Sequence, residues 1–226
     1  MKPFWESLIR LVYPSQCAAC CVPLDINQEG VCGDCRLALD EVKYRTEDQI
    51  LAQNFESIDQ GWSLYPYESP VREILTGVKF YGKRWLIKLF APEIQKLTLA
   101  LGAEHTYDYL IPIPVDLLRL SQREYNQTEI IASHICRMTH IPVKTNILVK
   151  RIHTAPQGRL TREERKYNLK YAFHVRRKSV LAGRSILLVD DILTTGATAE
   201  IAAETLKDAG AKRVDLITLA RTELKS

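Results

Sequence analysis

The stretch from residue 185 to residue 198, SILLVDDILTTGAT, constrains the fold more than any other part of the chain. An apolar run that ends in two acids predicts a buried strand whose carboxyl end carries Asp190 and Asp191. Residues 197–208 follow with helical spacing, so the residues between them predict a turn from strand into helix. Open α/β sheets bind ligands at the edge where strands end and helices begin. The stretch therefore predicts an α/β fold and a ligand site together.

The turn has the donors of an anion site. Backbone N–H groups at a helix start, the helix dipole and three threonine hydroxyls would cradle a phosphate, and Gly196 would let the backbone approach it closely. Asp190 and Asp191, the candidate catalytic residues, would accept hydrogen bonds from two ribose hydroxyls. A helix cap alone would explain one acid or one threonine, but not all five around a glycine. The predicted ribose 5-phosphate site comprises Asp190, Asp191, Thr194, Thr195, Gly196, Ala197 and Thr198.

Strands alternate with helices in the second half of the chain. Apolar runs at 107–115 and 214–220 predict buried strands, a short strand is expected at 147–152, and residues 126–139 have helical spacing. This alternation predicts an open, mostly parallel sheet with flanking helices. We expect this α/β domain at 107–226, a linker and hood at 41–106, and a metal module at 1–40.

The hood contains alternating aromatics at 62–67, which predict a strand, and a helix that begins near Pro70. Strand packing explains these aromatics better than a base-stacking platform does. Residues 77–84 nearly match a phosphate-binding P-loop, but Arg84 replaces the Ser or Thr that would hold magnesium. We interpret them as a helix end, with Lys79 and Phe80 as candidates to face the ligand.

Five of the six cysteines lie between residues 17 and 35. Two C-x-x-C pairs separated by eleven residues supply four thiolates, the ligand set of a closed structural zinc site. Reduced structural cysteines or an iron centre are the alternatives, and Cys21 is either a spare or a slipped ligand. The predicted zinc ligands are Cys17, Cys20, Cys32 and Cys35.

Positive charge is concentrated in one segment. The chain has 31 Lys and Arg against 27 Asp and Glu, for a net charge of +4, yet residues 151–184 contain ten Lys or Arg and only two Glu. Such a segment favours an anionic ligand, phosphate or nucleic acid, over an ordinary solvated loop. The apolar start at 4–12 is interrupted by Glu6 and Arg10, and no apolar run is long enough for a bilayer, so a cytoplasmic protein is expected.

The stretch 189–198 resembles the PRPP-binding signature of type I phosphoribosyltransferases. With the segments 111–114, 150–157 and 160–169 and the cysteine module, the chain is similar to the ComF family of competence-associated proteins from about residue 14 to residue 221. It departs from that family at 124–125, where Glu-Tyr stands in place of a more usual Arg-Gly-Phe or similar. The resemblance implies a type I phosphoribosyltransferase fold with an amino-terminal zinc module.

The resemblance also implies PRPP or ribose 5-phosphate as ligand, bound with Mg²⁺. In this interpretation Arg119 and Arg123 belong to the loop that receives pyrophosphate, and Arg162 and Arg165 belong to a flap over the diphosphate. A role in natural transformation is implied, in handling incoming single-stranded DNA with recombination and competence proteins. A second copy of the chain is a further candidate partner.

Three functional classes stay open at this point. The first is an active nucleobase phosphoribosyltransferase, which would be a glycosyltransferase of nucleotide salvage. The second is a DNA-binding competence module without turnover, and the third is a PRPP sensor. The sequence contains no obvious base for an incoming nucleophile, which leaves turnover undecided.

Overall fold

The computed structural model describes residues 15–25, 27–45, 55–104, 106–115, 125–150 and 172–222. Arg119, Arg123, Arg162 and Arg165 lie outside these ranges. In the amino-terminal part, helix α1 (Gly33–Val42) precedes strand β1 (Gly61–Pro66) and helix α2 (Val71–Phe80). A 3-10 segment (Arg84–Phe90) then leads into helix α3 (Ala91–Glu104).

The second half alternates as the sequence predicts. Strand β2 (Tyr109–Pro112) is followed by helix α4 (Gln127–Thr139) and by the short strands β3 (Leu148–Lys150) and β4 (Phe173–Val175). Strand β5 (Ser185–Leu193), helix α5 (Ala197–Asp208) and strand β6 (Arg213–Arg221) complete the order of these elements.

Four parallel strands form the main sheet, in the order β1-β6-β5-β2. Because β5 is internal, its side chains face a packed layer on both sides. Leu187 and Val189 belong to a core with the hood helices and α4, whereas Ile186 and Leu188 belong to a second core with α5. A strand buried on both faces needs an unbroken apolar run, which the sequence provides. The predicted parallel α/β sheet with flanking helices is confirmed.

Two features differ from expectation. Strand β1 was expected in the hood, but it pairs in parallel with β6, with Gly61 opposite Leu216, and so forms an edge of the main sheet. The strand expected at 147–152 is β3, which pairs antiparallel with β4 in a separate two-stranded sheet. The domain boundaries at residues 40 and 106 stay predictions.

The cysteine module packs onto the hood. Cys17, Val31 and Leu39 are buried in the same core as α2, the 3-10 segment and one face of β5. Gly30 has a φ of +81°, and a Cβ there would lie 2.9 Å from Cζ3 of Trp85. The close contact therefore requires glycine, both for backbone conformation and for space. No helix in the described ranges combines the length and apolar character that crossing a membrane requires.

Candidate functional site

The strand-to-helix turn after β5 is built around Gly196. This residue is the N-cap of α5 and has a φ of 77°, a left-handed conformation that glycine adopts without strain. The hydroxyl of Thr195 accepts a long hydrogen bond of 3.4 Å from the Ala197 N–H. Capping thus accounts for one threonine. The two acids are engaged elsewhere, so the helix cap does not explain them.

A cavity of about 330 Å³ opens at the carboxyl ends of the central strands. It brings together Asp190, Asp191, Thr194, Gly196 and Thr198 of the predicted site; Thr195 and Ala197 lie in the same turn but not on its wall. The rest of the wall comes from distant segments, namely Tyr67, Lys79, Ile113, Pro114, Val115, Gln127, Thr128, Lys150, Ile192, Leu193 and Ala199.

Two lysines balance the two acids in this cavity. Lys79 Nζ, at the end of α2, lies 2.9 Å from Asp191 Oδ2, and the two side chains are only 19% and 13% exposed. Burial and the neighbouring Asp191 charge raise the pKa of Asp190 to about 7, against the opposing effects of the Asp191 N–H, Lys79 and Lys150. Asp191 is therefore paired with a lysine, whereas the pKa of Asp190 lies near neutral pH.

Gln127 adds a donor to the cavity wall. Its side chain is 1% exposed, and its Nε2 has no hydrogen-bond partner among the described residues. The start of α4 is held firmly, because Thr128 Oγ1 donates to the Ile113 carbonyl at 2.8 Å and Asn126 Nδ2 donates to the same oxygen at 3.1 Å. A buried amide N–H without a partner costs free energy, so a ligand oxygen at Gln127 would remove that cost.

Sequence reasoning anticipated Lys79 as a ligand-facing candidate, and the structure places it on the cavity wall. Phe80, the other candidate, is 64% exposed and is not among the residues that line the cavity. Lys150 and Gln127 were missed. Lys150 ends strand β3 and Gln127 begins helix α4, and no local pattern marked which end of each element faces the acids.

Trp62 and Tyr65 are buried, as strand packing predicts, whereas Tyr67 is half-buried on the cavity wall. His134 lies half-buried on α4, where burial and nearby Arg137 and Lys88 lower its pKa. It is not among the residues that line the cavity.

The four predicted zinc ligands form one cluster. The Sγ atoms of Cys17, Cys20, Cys32 and Cys35 all lie within 4.8 Å of one another, and the Cys20 and Cys32 sulfurs are 3.7 Å apart. Tetrahedral bonds of about 2.3 Å to zinc would place two sulfurs about 3.8 Å apart. The donor set and its spacing fit a metal ion such as zinc.

The cysteine module also favours the thiolate form of Cys17. Burial alone would raise the pKa of Cys17, but backbone N–H groups of Cys20, Cys32 and Ala19 lower it to about 6. Thiolates are the form that binds metal. Cys21 has a φ of 63°, is exposed, and lies outside the cluster.

Known proteins resemble the chain over almost its whole length. The phosphoribosyl transferase domain model matches residues 128–224. Competence protein F of Haemophilus influenzae is 28% identical over 224 residues, covering 91% of this chain and 96% of that protein. Competence protein ComFC of Bacillus subtilis is 28% identical over 218 residues, covering 96% and 82% respectively.

The DNA utilization protein YhgH of Shigella flexneri is 26% identical over 228 residues, covering 94% of this chain and 99% of that protein. The matched domain contains the parallel strands β5 and β6 and the acid-and-threonine turn between β5 and α5, so the predicted phosphoribosyltransferase fold is confirmed. The similarity extends through the cysteine module as well as this domain, so the predicted resemblance of the chain to the ComF family is confirmed.

Proposed function

We propose that this protein binds PRPP or ribose 5-phosphate, with Mg²⁺, and acts in natural transformation in the handling of incoming single-stranded DNA. The observation that carries the ligand assignment is the cavity at the end of β5. There Asp190 and Asp191 are followed within one turn by Thr194, Gly196 and Thr198 on the same wall.

Each half of this wall suits one half of a ribose 5-phosphate. The carboxylates accept hydrogen bonds from the ribose hydroxyls, and hydrogen bonds to charged acceptors are the stronger kind. The start of α5 offers backbone N–H groups and its dipole to the phosphate. Gly196, buried and without a side chain, keeps the phosphate position open.

The charge balance of the cavity supports a divalent cation with PRPP. Among the described residues, the two lysines that line the cavity already face two acids, so they leave little positive charge for a diphosphate. Mg²⁺ prefers oxygen ligands and is usually bound together with substrate phosphates. Mg²⁺ would therefore be held mainly by the diphosphate, and it would offset the negative charge beside the acids.

The role in transformation is supported by the relatives. Two of them are named competence proteins, and a third is named a DNA utilization protein. The basic segment 151–184 supports contact with a polyanion. The flap arginines Arg162 and Arg165 and the loop arginines Arg119 and Arg123 are proposed for the diphosphate.

A titration of the full chain with PRPP, ribose 5-phosphate and 2-deoxyribose 5-phosphate, each with and without Mg²⁺, tests the ligand. PRPP binding is expected to strengthen with Mg²⁺, and the deoxy sugar is expected to bind more weakly than ribose 5-phosphate. Equal binding of the two sugars would contradict the assigned role of the acids.

Turnover is the second candidate, and one observation favours it. Tyr67, Ile113 and Ile192 supply an aromatic and apolar part of the cavity wall, which would suit a nucleobase. Release of pyrophosphate from PRPP upon addition of a nucleobase would establish an active phosphoribosyltransferase. PRPP binding without such release would leave a sensor or binding protein.

A further inference from the structure

The turn that follows α2 exposes an unusual set of side chains. Phe80, Tyr81 and Trp85 are 64%, 71% and 46% exposed, and they are the only aromatic side chains among the exposed large apolar residues of the described ranges. All three fall within six consecutive residues, 80–85, which we name the aromatic turn. Exposed aromatics gathered in one place mark an interaction surface.

The charged residues that flank the aromatic turn most closely in the sequence are all positive. Residues 74–92 contain four cations and no acid. Lys88 and Arg84 are exposed, and the Arg84 guanidinium stacks 4.1 Å from the centre of the Tyr125 ring, which holds it beside the turn. Lys79 is paired with Asp191 in the cavity, so the cations outside the cavity are Lys83, Arg84 and Lys88. An occupant of this surface must therefore carry negative charge together with flat apolar faces.

The proposed ribose site is not suited to bind single-stranded DNA. An internal deoxynucleotide has no 2′-hydroxyl, and its 3′-oxygen is esterified, so it offers no diol to Asp190 and Asp191. Because the cavity selects a diol, single-stranded DNA needs a separate surface. The aromatic turn borders the cavity, since Lys79 lines the cavity and Phe80 follows it directly in the chain.

We propose that the aromatic turn is a stacking platform for single-stranded DNA, with bases on Phe80 and Tyr81 and phosphates beside Lys83 and Lys88. This inference rests on the proposed role in handling single-stranded DNA, and it places that contact outside the basic segment 151–184. Bases of a single strand can stack on exposed aromatic rings, whereas bases of a duplex are already stacked on one another. Trp85 packs its ring edge near Gly30, which links the platform to the cysteine module.

The test uses the full chain and fluorescein-labelled oligodeoxythymidine, with binding followed by anisotropy. The variant Phe80→Ser/Tyr81→Ser removes both exposed rings and spares Trp85, which has a packing role. Its affinity is expected to fall by about tenfold or more, since stacking on each ring contributes to binding. The variant Lys83→Gln/Lys88→Gln is expected to lower the slope of log affinity against log salt by about 0.7 for each phosphate that the chain no longer neutralises.

Leu99→Ser is the matched control, because Leu99 is 62% exposed and lies on α3. It is expected to bind DNA like the wild type, and thermal melts of all variants confirm folding. The variants are also expected to bind PRPP unchanged.

Wild-type affinity in Phe80→Ser/Tyr81→Ser would overturn the platform alone and leave the proposed function standing. A wild-type chain that binds no single-stranded DNA would overturn both the platform and the DNA role, while the PRPP titration still decides the ribose site. Equal binding of duplex DNA, or a self-association that Phe80→Ser/Tyr81→Ser abolishes in the absence of DNA, would assign the turn to another partner and also overturn the inference.

Discussion

Lys79 and Asp191 form an ion pair of 2.9 Å between the end of helix α2 and the carboxyl end of strand β5. The pair joins a hood helix to the sheet inside the cavity that we assign to ribose. A ribose hydroxyl that reaches Asp191 must share the carboxylate with Lys79 or displace it. The hood thus lines the proposed ligand position, although it lies far from the turn in sequence.

Replacing Lys79 tests this pair. Lys79→Met leaves a mostly buried carboxylate without its partner, and the free energy of unfolding is expected to fall by about 1–3 kcal/mol. PRPP binding should weaken as well, because the cavity loses a cation. Lys79→Arg keeps the charge and is expected to lose less. Denaturant unfolding and calorimetric titration measure both effects, with exposed Lys88→Met as the control. A Lys79→Met protein that is as stable and binds as tightly as the wild type would contradict the role of the pair.

Replacing the acids should change selectivity. Asp190→Ala and Asp191→Ala each remove an acceptor for a ribose hydroxyl, so ribose 5-phosphate affinity is expected to fall by about one to two decades. The 2- and 3-deoxy analogues, which lack one hydroxyl, should lose less. Calorimetric titration of the three sugars against each variant gives the comparison. Equal losses for all three sugars would show that the acids do not bind the diol.

Gly196→Val is expected to abolish phosphate binding, because the side chain would both strain a backbone with a φ of 77° and occupy the turn. Gly183→Val separates the two effects, since Gly183 has a φ of 71° and open space around a Cβ. Both variants should be less stable, but only Gly196→Val should lose ribose 5-phosphate. Titration of each variant with ribose 5-phosphate, at temperatures below and above its melting midpoint, distinguishes binding lost through unfolding from binding lost at the site. Retained binding in Gly196→Val would contradict the phosphate assignment.

The pH dependence of stability should contain a contribution from Asp190. Its pKa is raised from the ordinary 3.8 to about 7 by burial and by Asp191. Between these values the unfolded chain releases the proton while the folded chain keeps it. The unfolded chain then binds fewer protons, so stability falls as pH rises through this window and levels off above it.

Asp190→Asn cannot ionise and should escape this loss. Its melting temperature relative to the wild type is expected to rise from about pH 4 to about pH 7 and to stay constant at higher pH. Thermal unfolding in a series of buffers measures the difference. A difference that does not change with pH would mean that Asp190 ionises normally in the folded chain.

The cysteine cluster should hold one zinc ion per chain. Cys17→Ser and Cys32→Ser are expected to lose the metal and to lower the melting temperature, because the module relies on metal and on contacts with the hood for its core. Cys21→Ser, which changes a neighbouring cysteine outside the cluster, should keep both. Elemental analysis of the purified proteins measures the zinc content, and thermal melts measure the stability. A wild-type protein that contains no metal and is fully stable would contradict the prediction.

The sequence predicted those parts of the site that are local in the chain. The acids, threonines and glycine of 190–198 lie within one turn, and the spacing of the four cysteines already defines a cluster. The positions of Lys150 and Gln127 depend on which strand and helix ends meet at the cavity. Hydrophobic periodicity reports burial but not which partner a residue meets, so these two could not be found from sequence.

Strand β1 illustrates the same limit in the fold. Its sequence correctly predicted a strand, but a run buried along its whole length fits a hood sheet as well as the edge of the main sheet. Only the pairing with β6 decides between them. Arg119, Arg123, Arg162 and Arg165 stay predictions for the diphosphate.

The pairing of β1 with β6 also has a consequence for synthesis on the ribosome. Gly61 emerges long before Leu216, its partner in the ladder, and in the four-stranded sheet β1 borders no other strand. Pairing across so great a separation is slow, since a long loop must close before the contacts form. A nascent chain that has completed the cysteine module and the hood therefore still exposes a hydrophobic strand with nothing to pair with. During that interval the nascent chain is expected to bind chaperones, and fragments that stop before residue 213 are expected to aggregate.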